Sequence, residues 1–390
     1  MRASLKTLDP FADSDPQALG ARAWLLPAVF ETLVRFDEHG DPQPCLATSW
    51  IHDAARKRWV FTARENVLLH NGTPWSPKGG VIEVPDDRPL PDILRELARP
   101  SHAIVVHAED GSLIGTGPFR IERWDGEKSA RLAAHGGYWA GRPFVDAIEI
   151  KMGRALRDQE LDLESGKTDV AEILVRDARR LRQKGAGISA TPSMETLALV
   201  FENSRSPDVL REALALSIDR ATINNVLLQK QGEPSAALLP RWLSGYSFVF
   251  AAARNVARAK QLAATSPPLV FAYDRQDPIL RPVGERIAVN ASEAGIILRA
   301  STGPADVRLI SLPITSRDAW IALEDLAAML KLSLPPATSG LFEAESALLN
   351  GYRVIPLVHL PQAWATTGAV RDWPRLADVW LDSLDAKAKP

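Results

Sequence analysis

The chain has 390 residues, 46% apolar and 24% charged, a balance suited to a soluble globular protein with room for about two to three domains. A formal charge of −2 offers no electrostatic footprint for nucleic acid or an anionic membrane, and nucleic acid is excluded as a partner. Cys45 is the only cysteine, so neither an intrachain disulfide nor a thiolate metal cluster can form, and no window approaches the roughly 18 uninterrupted apolar residues of a membrane span.

Taken in order, Met1 to Lys6 run into Thr7-Leu8-Asp9-Pro10 with no apolar export segment between them. Trp24, Leu25, Leu26, Val29, Phe30, Leu33 and Val34 recur at three and four, which predicts a helix over 24–36. Gly40, Pro42 and Pro44 mark a loop, and Trp59–Arg64 and Val67–His70 read as short strands. The Pro- and Gly-rich stretch 74–92 reads as loop, followed by a short helix at Asp92–Leu97. His102 and His107 flank the apolar run 103–106 and fall on opposite sides of a strand, so they do not share a metal.

Gly115-Thr116-Gly117-Pro118-Phe119 is a tight turn feeding a strand. A phosphate cradle does not fit it, because the third glycine is missing and Pro118 removes an N–H donor. Leu156–Leu163 predicts a helix stopped by Gly166, and 169–171 a strand; Gly166-Lys167-Thr168 is no P-loop, since position 161 is leucine and the motif follows a helix. A strand at 196–203 leads to Ser206 as helix N-cap with Pro207 in the first turn, and Leu210, Ala213, Leu214, Ser217 and Ile218 line one helix face. A βαβ unit follows: strand 269–273, a helix from Asp277 carrying Val283, Ile287 and Ala291, a stop at Gly295 and a strand from Ile296. Val307–Ile310 is a further strand, 320–326 and 342–349 are amphipathic helices, and 354–358 is a strand.

Several of these stretches, in order, resemble one family. The GTGPF turn with Gly137-Tyr138-Trp139-Ala140-Gly141-Arg142-Pro143-Phe144-Val145-Asp146 looks like the signature of the family 5 extracellular solute-binding proteins, the dipeptide, oligopeptide and nickel receptors of ABC importers. The stretches 7–10, 29–37, 45–50, 59–74, 166–170, 210–220 and 354–359 resemble further elements of that family. The resemblance implies an α/β, two-lobed periplasmic-binding-protein-like (type II) fold with two hinge crossings and a reduced middle subdomain. It implies a first lobe at 1–205, with the reduced subdomain at about 74–112, a second lobe at 206–355, and a return to the first lobe at 356–390, with a hinge at 203–207. Trp50, Trp59, Trp139 and Trp380 fall where lobe core is expected.

The implied function is capture of a small solute, peptide-like or related, and its presentation to an ABC transporter permease by a monomer in the periplasm or at the cell surface. The start of the sequence then looks truncated ahead of residue 7. Ligand-binding positions implied by the resemblance are Phe30, Gly115, Thr116, Gly117, Phe119, Asn203, Tyr246, Asp318, Trp320 and Trp364. Around Asp318 the cluster with which peptide-binding members hold the peptide amine is missing. Catalytic residues, metal and cofactor are expected to be absent: there is no Gly-x-Ser-x-Gly, no His-Glu-x-x-His and no Gly-x-Gly-x-x-Gly after a strand. Two alternatives stay open, a ligand-sensing or vestigial domain uncoupled from transport and resident in the cytoplasm, and a two-lobed hydrolase.

Overall fold

The computed structural model describes residues 1–4, 26–37, 40–109, 111–125, 128–203, 205–264, 267–335, 339–368, 370–371 and 380–381. The chain divides into two compact units, Met1–Ser189 with Ala363–Pro390, and Ala190–Gln362. It passes between them twice, each time inside a long strand. The first division falls earlier in the chain than position 205 and the second later than 355.

The first unit is built on β1 (Arg2–Ser4), β2 (Ala47–Asp53), β3 (Arg58–Ala63), β4 (Val81–Val84), α1 (Leu90–Leu97), β5 (Phe119–Asp125), β6 (Ser129–Ala134), β7 (Ala147–Lys151), α2 (Leu156–Glu164), β8 (Val170–Ile173) and α3 (Ala178–Gln183). Its main sheet runs β8-β1-β7-β6-β5, with β1 parallel to both neighbours and β6 antiparallel to both of its own. Alternation sets the faces: Ala130, Leu132, Ile148 and Ile150 are buried, whereas Glu149 and Lys151 are exposed. A second sheet, β2-β3-β4, packs with α1 around Phe61, Ile93, Leu94, Leu33 and Leu46. The tail strand Val370–Arg371 pairs with Trp380–Leu381; the side chain of Trp380 lies outside the described residues.

Three expectations change here. Within 24–36 the structure has a single 3-10 turn at Leu26–Ala28 and a strand at Val34–Phe36, and residues 24 and 25 lie outside the described residues. The helix-like spacing arose because Ala28, Val29, Phe30, Leu33 and Val34 are all buried, whatever the backbone conformation. The 74–92 stretch contains β4, an edge strand on β3, and Leu68 contributes only one bridge, to Pro74, rather than a strand. Val106–His107 forms a two-residue strand against Leu113–Ile114, preceded by a 3-10 turn at Pro100–His102, so no strand covers 103–105.

The second unit contains β9 (Gly187–Phe201), α4 (Asp208–Ser217), α5 (Val256–Ala263), β10 (Leu269–Ala272), α6 (Leu280–Glu293), β11 (Leu298–Ser301), β12 (Val307–Pro313), α7 (Ala319–Leu330), α8 (Leu341–Leu349) and β13 (Val354–Thr366), with the ends of β9 and β13 belonging to the first unit. The sheet order is β11-β10-β12-β9-β13. Helices α4, α5 and α6 cover one face, Val283 of α6 packing with Leu199, Phe201 and Phe271, while α7 and α8 cover the other, Leu323 and Leu348 packing with Ala198 and Leu312. A sheet buried on both faces explains why β13 reads as an almost unbroken apolar run. Ser206 does not cap α4. It is buried, Pro207 occupies the cap position, and no side chain supplies the cap bond. The α6 start follows expectation, with Asp277 Oδ1 accepting from the N–H groups of Ile279 and Leu280.

Candidate functional site

Six of the ten expected ligand-binding positions lie in the first unit. Gly115 and Gly117 lie against the backbone of residues 28–30, and Gly117 N donates to Val29 O at 3.0 Å. A Cβ on Gly115 would sit 2.2 Å from Val29 O and 2.8 Å from the Phe30 ring; one on Gly117 would sit 2.7 Å from Ala28 O. Both glycines therefore serve a close backbone approach. Phe30, Phe119 and Trp364 belong to one buried apolar cluster of this unit.

Thr116 is fully buried and donates from Oγ1 to Glu31 Oε2 at 2.8 Å. The same carboxylate accepts from Tyr138 Oη at 2.9 Å and Trp139 Nε1 at 3.1 Å, with Cys45 Sγ 3.6 Å away. Burial pushes the Glu31 carboxyl up against the pull of these donors. Burial and the Glu31 charge push the Cys45 thiol up to about 12, which removes it as a nucleophile. Gly117 O accepts from two histidines, His70 Nε2 at 3.1 Å and His135 Nδ1 at 3.2 Å; His70 Nδ1 accepts from Gly115 N at 3.2 Å, which places the His70 proton on Nε2. Desolvation lowers the His70 pKa to about 4 and also lowers that of His135, so both rings are neutral at physiological pH. The stretches at 29–37, 45–50, 67–74, 115–119 and 137–139 thus converge on one polar knot. Glu31 is its centre, and sequence reasoning missed it; the signal was a glutamate inside an otherwise apolar run.

The remaining expected positions in the second unit are separate. Asn203 bridges Asp306 Oδ1, at 3.2 Å, and the Arg205 N–H, at 3.0 Å. Asp318 caps α7, its Oδ1 accepting from Ile321 N at 3.0 Å, and Trp320 packs half-buried over the α7–α8 core. Tyr246 donates to Glu345 Oε2 at 2.7 Å, and its ring meets Phe342 edge-on at 5.1 Å. Glu345 is fully buried, and its other oxygen accepts from the N–H groups of Leu238 and Leu239. Burial raises its pKa to about 7.

At the end of the second-unit sheet nearest both crossings, Glu195 accepts from Ser311 Oγ at 2.8 Å and Gln362 Nε2 at 3.1 Å. Both donors are neutral, and among the described residues no cation lies within ion-pair distance of this half-buried carboxylate. Trp242, 36% exposed, donates to the carbonyl of neighbouring Ser193. Sequence reasoning missed Glu195 and Trp242 as well. No group of three His, Cys, Asp or Glu among the described residues is placed to hold a metal ion. Among the described residues no helix is long and apolar enough to cross a membrane.

Two α/β units with two strand crossings constitute the periplasmic-binding-protein fold. NikA of Staphylococcus aureus, solved with Ni(L-His)2, matches with a TM-score of 0.79 at 16% identity over 97% of each chain. AppA of Bacillus subtilis, solved with a nonapeptide, matches with a TM-score of 0.79 at 13% identity over 98% of this chain and 99% of that one. Residues 82–306 match the model of the bacterial extracellular solute-binding proteins, family 5, and the chain belongs to that family. The probable D,D-dipeptide-binding periplasmic protein DdpA of Escherichia coli is 24% identical over 69% of this chain, and the chain spans 64% of DdpA's length. The peptide transport protein SapA of Salmonella typhimurium is 28% identical over 34% of this chain and 25% of its own. Each of these relatives is named as a binding or transport protein.

Proposed function

We propose that the chain is the solute receptor of an ABC import system, working on the outer side of the cytoplasmic membrane and delivering a small peptide-like solute to the permease. Family membership over 82–306, in a chain whose DdpA relative is named for a D,D-dipeptide, carries this reading. In it, the strand crossings at Ser189/Ala190 and Gln362/Ala363 act as the hinge, and a solute stabilises the closed form by its differential affinity for it. Glu195, hydrogen-bonded only by neutral donors among the described residues, would hold the solute ammonium, with Trp242, fixed on the Ser193 carbonyl, as an aromatic plate. Asp318 is engaged as a helix cap, which favours Glu195 for the ammonium. In this reading the turn Gly115–Gly117, with Phe30, Phe119 and Trp364, shapes the first unit.

The test is a thermal-shift screen of protein stripped of solute against dipeptides, D,D-dipeptides, longer peptides and nickel–histidine. Ligand at about a hundred times its Kd adds roughly 2.7 kcal/mol. Peptides are expected to raise the melting temperature, and Glu195→Gln to weaken peptides more than their N-acetylated forms. A rise with nickel–histidine alone would overturn the peptide assignment, and no rise with any solute would overturn the receptor reading.

A further inference from the structure

The first unit carries a pocket of about 440 Å³ at the end of its main sheet where Ser129 pairs with Lys151, lined by Arg123, Ser129, Glu149, Lys151, Lys167 and Thr168, with Ala130 and Ile150 as apolar lining. These residues come from four places in the chain. Arg123 is on β5, Ser129 on β6, Lys151 on β7, and Lys167 in the turn that Gly166, at φ +71°, makes between α2 and β8. Register brings the first three together: Ser129 lies opposite Lys151, and Arg131 lies opposite both Arg123 and Glu149.

The charge balance is uneven. Glu149, the one carboxylate of the lining, is held by Arg131 Nη1, and Arg131 Nε holds Glu122 beyond it. The negative charge is therefore engaged within the strands. Arg123, Lys151 and Lys167 have no carboxylate partner among the described residues, and all three are exposed on the pocket. Three cations around one concavity repel each other unless an anion joins them; Ser129 adds a hydroxyl donor, whereas the Thr168 hydroxyl is spent on Val170 O at 3.0 Å.

We propose that this pocket binds a small polyanion of phosphate or polycarboxylate chemistry, held by Arg123, Lys151 and Lys167. The site lies wholly within the first unit and is independent of the solute assignment above. Its anion is either free in solution or the headgroup of an acidic lipid.

The experiment titrates the full chain calorimetrically with inorganic pyrophosphate and with citrate at low and high salt. In parallel, the chain is floated with phosphatidylglycerol vesicles and with phosphatidylcholine vesicles. One equivalent of pyrophosphate or citrate is expected to bind, with affinity falling several-fold as salt rises from about 0.05 to about 0.2 M. The variant Arg123→Gln/Lys151→Gln/Lys167→Gln should lose at least about tenfold in affinity while keeping its circular dichroism spectrum and melting temperature. Flotation with phosphatidylglycerol alone, lost in the same variant, would assign the anion to a lipid headgroup. Absence of binding to both free anions and both vesicles, or equal binding by wild type and the triple variant, would overturn the proposal. Lys151→Glu, a single exposed change, gives a second reading and should weaken binding further than Lys151→Gln.

Discussion

Replacing Glu345 with Gln should make the protein more stable at neutral and alkaline pH while leaving it little changed in mild acid. The wild-type carboxyl is fully buried, with the Leu238 and Leu239 N–H groups on one oxygen and the Tyr246 hydroxyl on the other. No cation is among these partners, so desolvation dominates and raises its pKa from 4.5 to about 7. A group whose folded pKa exceeds its unfolded value contributes its full stability below pH 4.5 and loses it as pH rises through 7. At about 1.4 kcal/mol per pH unit, the loss across that window is about 3 kcal/mol.

Glutamine suits the same site. Its oxygen accepts from the two N–H groups and its amide donates to the Tyr246 oxygen, so the hydrogen bonds survive without the charge. Urea unfolding of wild type and Glu345→Gln between pH 4.5 and 8 reads the difference directly, and other titrating groups cancel between the two proteins. A stability difference that stays constant over this range would refute the buried-carboxylate account. So would a wild type that gains on the variant as pH rises.

Gly115→Ala and Gly117→Ala should each destabilise by about 1–3 kcal/mol or more, because the new methyl meets backbone atoms at 2.2 and 2.7 Å that cannot move aside cheaply; calorimetric melting temperatures equal to wild type would show that the 28–30 segment is not packed as described. His359, 1% exposed and donating to Ala237 O at 3.0 Å, has its pKa lowered to about 4 by desolvation. Its contribution is full above about pH 6.5 and is lost as pH falls through 4, so His359→Gln should flatten the acid limb of a stability profile by up to about 3 kcal/mol. An unchanged acid limb would sink that assignment.

Much of the fold could be read directly. The βαβ unit around 269–298 and the helices at 92–97, 156–164 and 342–349 follow from periodicity, caps and glycine stops, which act over a few residues. The helix expected at 24–36 and not found there shows the limit of that method: a segment with many buried residues has apolar side chains at helical spacing without being a helix. Arg220 shows another limit. It sits in a recognised stretch, yet only the fold reveals it as 4% exposed, with its guanidinium on the carbonyls of Ala215, Ser235, Ala252 and Pro356 and no carboxylate partner among the described residues.

The candidate site was less legible. The expected ligand positions came from motifs, and several of those motif residues have internal tasks: Thr116 on Glu31, Asp318 on the α7 cap, Asn203 on Asp306. By itself the sequence determined the α/β class, the order of most elements and the family, because these rest on local propensity and on short motifs in a set order. Only the tertiary structure decided that Glu31 gathers donors from positions 116, 138 and 139, that Glu195 has only neutral partners among the described residues, and that Arg123, Lys151 and Lys167 share a pocket. Those groupings join residues far apart in the chain through sheet register and burial, and neither quantity is written in any local stretch of residues.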